Sequence, residues 1–136
     1  MGYLEVSAHM TVRPGCLEGF RMQAAECIRI TKEMDTRTLR YDWFLSSDGT
    51  ECEVREAYTD PEGLIEHNSN IVEARTKLFR DYADGHFMTF YGEQSQPLLD
   101  LLKRHAVGFT WFSFIQGLEP IPSQSPEAER KAMQLL

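Results

Sequence analysis

Hydrophobic and polar residues alternate from Leu4 to Val12. Leu4, Val6, Ala8, Met10 and Val12 share one face, and Tyr3, Glu5, Ser7, His9 and Thr11 take the other. That period of two predicts a half-buried strand, which Arg13-Pro14-Gly15 breaks. Leu17, Phe20, Ala24, Cys27 or Ile28, Thr31 and Met34 then recur at three- and four-residue steps, as in an amphipathic helix. Asp35-Thr36-Arg37-Thr38 ends the helix. Residues 39–46 and 51–58 read as strands around Asp48-Gly49, a favoured pair for a two-residue type I′ hairpin turn. The turn sets a register that pairs Leu45 with Cys52, Trp43 with Val54, Tyr41 with Glu56 and Leu39 with Tyr58. Asp42 and Arg55 then form an opposite-charge pair on the other face. Glu56 is thus the single carboxylate on the apolar face, opposite Tyr41.

The second strand-to-helix junction is doubly marked. Thr59 or Asp60 offers an N-cap oxygen, Pro61 suits the first helical position, and Thr59 with Glu62 has capping-box spacing. The predicted helix runs from Pro61 to about Tyr82. Leu64, Ile71, Leu78, Phe79 and Tyr82 lie on one side, and Glu66, Glu73, Lys77, Arg80 and Asp81 on the other. His67, Asn68 and Arg75 fall within the apolar arc, where polar groups need partners. Asp84-Gly85 is expected to close this helix. Residues 87–91 read as a fourth strand, Pro97 as the start of a short leucine-rich helix, and residues 109–115 as a fifth strand apolar on both faces.

The order β-α-β-β-α-β predicts an α+β fold, a ferredoxin-like antiparallel sheet with helices on one face and an extra C-terminal helix and strand. One domain spans 1–116, with a core at 3–92 and an extension at 93–116. A polar tail with a short helix from Ser125 follows. Helices on one face leave the other sheet face open, and a second copy of the chain is the expected cover, making a homodimer.

Composition narrows the function classes. With 136 residues, 42% hydrophobic and 26% charged, the chain is sized for one globular domain. Its net charge of -7 opposes nucleic-acid or anionic-membrane binding. No apolar run approaches the ~18 residues of a membrane span. Three cysteines without CxxC spacing point to buried thiols in a reducing, cytoplasmic setting. His9, His86 and His105 lie on different elements without metal-ligand spacing, and no phosphate loop, nucleophile elbow or HExxH motif occurs.

Leu39-Arg-Tyr-Asp-Trp-Phe, the Asp-Gly turn and Arg55-Glu-Ala-Tyr-Thr-Asp-Pro-Glu-Gly-Leu-Ile-Glu-His-Asn-Ser resemble the antibiotic biosynthesis monooxygenase (quinol monooxygenase-like) family over roughly residues 3–92. The resemblance implies the dimeric α+β barrel fold and a pocket between sheet and helices. It also implies oxidation of a small aromatic phenol or quinol by dioxygen without metal or flavin. In that reading His67 is the base and Glu56 orients it or holds a proton; the structural alternative is that Glu56 pairs with Arg75 or a backbone group. Tyr41, Trp43, Tyr58, Asn68, Arg75 and Phe87 surround the substrate. The alternatives are a non-catalytic barrel that binds a small apolar ligand, and a haem-binding or haem-degrading relative.

Overall fold

The computed structural model describes residues 2–119; the expected terminal helix lies outside them. The elements are β1 (Leu4–Val12), α1 (Leu17–Met34), β2 (Thr38–Leu45), β3 (Glu51–Tyr58), α2 (Pro61–Asp81), β4 (Ala83–Tyr91), α3 (Gln96–Arg104) and β5 (Gly108–Phe112). The sheet order is β2-β3-β1-β4-β5. The first four strands pair antiparallel, and β5 joins parallel to β4 through the α3 crossover. Leu4, Val6, Ala8, Met10 and Val12 of β1 are buried in the core with Phe20, Val54, Leu64, Leu78, Phe90 and Leu98. The α+β class and the one-sided helical layer are as the periodicities predict.

The hairpin keeps the predicted register at Tyr41–Glu56, Asp42–Arg55, Trp43–Val54 and Leu45–Cys52. Its turn differs. Ser46 N–H donates to Glu51 O at 2.8 Å, closing a four-residue loop in which Gly49 alone has positive φ, at 75°. Asp48 stays out of the left-handed region, and its carboxylate accepts from Ser46 Oγ, Thr50 N and Thr50 Oγ1. The register survives because the loop closes on the same residue pair. A shift at the far end puts Thr38, not Leu39, opposite Tyr58.

Asp84-Gly85 does not stop α2 in the way expected. The helix ends at Asp81, and β4 begins at Ala83. The register against β1 slips by one residue between Thr11–Asp84 and His9–Phe87, with Gly85 at φ 70°. This bulge reverses the side-chain alternation along β4. Ala83 points into the core, whereas Phe87 emerges on the open face. The fifth strand is shorter than predicted and is not buried on both faces: Trp111 stacks on Phe90 at 4.5 Å, while Phe112 is half exposed.

Asp60, not Thr59, caps α2, accepting from Gly63 N at 2.9 Å, and Pro61 takes the first turn. Asp60 also pairs with Arg37 at 3.0 Å. Gly63 brings the helix against the hairpin: a Cβ there would lie 3.0 Å from Arg37 Cβ and 3.1 Å from Tyr58 Cβ. This close approach sets the height of His67 one turn later. Gly63→Ala is therefore expected to lose about 1–3 kcal/mol of stability from overpacking, despite alanine's better helix propensity. Urea denaturation measures this, and an unchanged midpoint would show that the two backbones separate without cost.

Candidate active site

The layer between α2 and the sheet holds a polar cluster centred on a residue that the sequence pattern hid. Asp35, the residue after α1, turns its carboxylate inward, with the side chain 1% exposed. It accepts from His67 Nδ1 at 2.8 Å, from Asn70 Nδ2 at 2.8 Å and from Thr38 Oγ1. Burial alone would raise its pKa, but these three donors hold the carboxyl below its ordinary range. An ionised carboxylate only accepts hydrogen bonds, so His67 carries its proton on Nδ1. Thr31 agrees: its hydroxyl donates to Cys27 O at 2.8 Å, leaving an oxygen lone pair 3.4 Å from the same nitrogen. The Nε2 lone pair is then the basic position. His67 and Asn70 occupy positions i and i+3, a spacing that calls for a shared acceptor. Nothing local identifies that acceptor as the cap of a different helix.

Glu56 lies nearby on β3, 5% exposed. The expected partner was Arg75. Instead Tyr58 Oη donates to Glu56 Oε1, and Arg75 donates to Asn68 Oδ1. Arg75, reached from the second half of α2, acts on Glu56 only through its field. Burial drives the Glu56 carboxyl upward, against the pull of His67, the Tyr58 hydrogen bond and Arg75. The Tyr58 phenol is also pushed well up, by burial and then by Glu56.

Beside this cluster is a cavity of about 60 Å³, lined by Tyr41, Trp43, Glu56, His67, Asn68 and Arg75, with Leu98, Leu101 and Leu102 of α3 across from them. Tyr41 meets the His67 ring edge-on at 4.5 Å. Tyr58 lies 5.7 Å from His67, behind the lining, bonded to Glu56. Phe87 is a correction: the β4 bulge turns it to the opposite sheet face, and His86 and Met88 line the cavity instead. His86 stacks on Phe79 at 4.5 Å, and burial, with Arg75, lowers its pKa to about 4, so it is neutral. The leucines of α3 form one wall. The volume is well below the ~150 Å³ of a cavity that holds benzene. Among the described residues no group of histidine, cysteine, aspartate and glutamate has the arrangement of a metal site, and no helix is long and apolar enough to cross a membrane.

No protein-family profile and no curated protein sequence matches the chain. Solved structures do. MupZ from Pseudomonas fluorescens superposes with a TM-score of 0.71 at 23% identity, covering 88% of this chain and 96% of that one. Rv0793 from Mycobacterium tuberculosis gives 0.60 at 21% identity, over 70% of this chain and 98% of its own. A candidate antibiotic biosynthesis monooxygenase from Caulobacter crescentus gives 0.60 at 18% identity, over 65% and 87%. The chain has the antibiotic biosynthesis monooxygenase fold. At these identities the likeness concerns the backbone, so the chemistry rests on the side chains described above.

Glu56 makes the site's electrostatics measurable. The folded carboxyl keeps its proton to higher pH than the unfolded one, whose ordinary value is 4.5. The native protein therefore loses stability as pH rises from that value through the raised one. Glu56→Gln keeps an acceptor for Tyr58 and has no charge to bury. It is expected to melt above the wild type at pH 8, with the gap closing by pH 4. Thermal melts across this range test it; a gap independent of pH would mean that Glu56 titrates alike in both states.

Proposed function

We propose that the protein is a cofactor-independent monooxygenase that oxidises a small aromatic phenol or quinol with dioxygen. The carrying observation is the Asp35–His67 pair, which leaves Nε2 as the basic nitrogen of a residue lining an apolar cavity. In this reading His67 Nε2 takes the phenolic proton, and the electron-rich ring reduces dioxygen. A ring carbon forms a bond to oxygen, the O–O bond breaks, and the departing oxygen leaves as water. Ring carbon C–H becomes C=O, so phenol plus dioxygen gives quinone plus water. His67 returns its proton to the leaving oxygen. Asp35 holds the imidazole in the required tautomer throughout. Burial raises the pKa of Glu56, which lessens the competition of a second negative charge with the phenolate. The cavity's size favours a small ring over a porphyrin, which argues against the haem reading.

His67→Ala is expected to lower oxygen consumption with a quinol panel by about 100-fold or more. Asp35→Asn should lower kcat more than it changes KM, because it removes orientation and charge while leaving the apolar contacts. If no quinol is turned over, yet one raises the melting temperature, the protein binds its ligand without catalysis.

A homodimer belongs to the same proposal. The sheet face opposite the helices exposes Phe44, Phe87, Tyr91 and Phe112, with Tyr91 and Phe112 stacked at 5.8 Å. Beside them His9 bonds Glu53 through Nδ1 and Glu51 through Nε2, and these bonds raise its pKa, Glu53 first. An open apolar face of this kind suits a two-fold partner. Sedimentation at micromolar concentration should give about twice the monomer mass, and a charged substitution at Phe112 should give the monomer.

A further inference from the structure

Arg13, Arg29, Arg37, Arg40 and Arg80 each pair with a carboxylate. Arg75 is half-buried and forms no ion pair among the described residues. Charged groups taken out of water usually meet an opposite charge, because desolvation is otherwise costly. Its one side-chain hydrogen bond to the described residues goes to Asn68 Oδ1, which leaves most of the guanidinium N–H groups free. A guanidinium only donates, so it fixes the Asn68 amide with Oδ1 toward Arg75 and Nδ2 turned away. That Nδ2 also has no partner among the described residues. These donors are not sealed in, since Trp43 Nε1 is the one inaccessible side-chain polar atom left unpaired there.

Asn68 and Arg75 both line the cavity. They lie seven residues apart on α2, hence on one face, and helical side chains lean toward the N-terminus. Their contact brings the guanidinium back along the helix toward the level of His67, the residue before Asn68. The electrostatics agree. Burial dominates the pKa shifts of Glu56, Cys27 and His86, but the Arg75 charge acts on all three, and all three line the cavity. Glu56 does not serve as the counter-ion. Its Oε1 accepts from Tyr58, and burial works against a negative charge there.

We propose that the free N–H groups of Arg75, together with Asn68 Nδ2, form a carboxylate-binding subsite, so that the ligand of the cavity is an organic anion. A carboxylate supplies the opposite charge that the fold withholds from Arg75, and its two oxygens match the planar guanidinium fork. Asn68 aims that fork and adds a neutral donor beside it. A carboxylate group is small enough for a cavity of about 60 Å³, with the rest of the ligand extending toward the opening at the exposed His105. The proposal rests on the reading of the cavity as the ligand site, and it adds the charge of what enters.

The test compares benzoate with benzamide, which has the same shape and no charge. Neither has a phenolic hydroxyl to deprotonate, so the result stands apart from quinol turnover. By calorimetry at neutral pH, wild-type protein is expected to bind benzoate about tenfold more tightly than benzamide, the size of one hydrogen bond to a charged group. Arg75→Met, which keeps the length of the side chain without its charge, should abolish the preference and leave benzamide binding unchanged. Arg75→Lys should retain part of it, since the charge stays and the fork is lost. One measurement needs no variant: the Arg75 Nε–H resonance should shift when benzoate is added and stay in place with benzamide. Equal affinities, a preference kept in Arg75→Met, or a shift confined to other arginines would each overturn the proposal while leaving quinol turnover untouched. Failure of both rings to bind would overturn it together with the cavity as the ligand site. Loss of turnover with the preference intact would instead support the subsite and count against the oxygenase reading alone.

Discussion

A single buried carboxylate ties three elements together. Asp35 sits where α1 ends, bonds Thr38 at the start of β2, and receives His67 and Asn70 from the first turns of α2. Ionised and almost inaccessible, it is tolerable only because every donor around it is in place. Moving any of these elements would strand a charge in an apolar layer. The same constraint gives His67 one tautomer. Structural and chemical roles are therefore inseparable here: the contact that closes the α1–β2 corner also prepares the imidazole.

The remaining polar groups of the layer follow from this arrangement. Burial, with a smaller push from the Asp35 charge, raises the pKa of Glu56, while Tyr58 supplies a hydrogen bond. Arg75 stays on α2 with Asn68, contributing positive potential without a direct ion pair. Carboxyl groups pushed in opposite directions, one down and one up, are a common way for a small site to hold a base and a proton reserve at one pH. The apolar remainder of the wall comes from α3, outside the ferredoxin-like core.

Both faces of the sheet are used, and the β4 bulge decides how they are divided. One extra residue opposite β1 sends Phe87 outward to join Tyr91 and Phe112, and brings His86 and Met88 inward. The aromatic patch on the open face and the histidine in the cavity wall thus have one origin.

The sequence by itself determined the element order, the one-sided helical layer, the hairpin register and the arc carrying His67, Asn68 and Arg75. Each depends on periodicity or on residues a few positions apart: side chains alternate in strands and recur every three to four residues in helices. It also made Glu56 conspicuous, as a carboxylate on an apolar stripe. Tertiary structure alone decided partnership. Asp35 looks like an ordinary helix end until α2 is laid across it, because its ligands come from 3 to 35 residues away along the chain. Arg75 and Glu56 have matching charges on facing elements, yet side-chain reach and a nearer tyrosine assigned each a different partner. The resemblance puts Phe87 at the substrate, but a bulge turns it to the open face, and only pairing with a neighbouring strand reveals a bulge. Local pattern states which surfaces must be buried; the packing of elements against one another states which polar groups then meet.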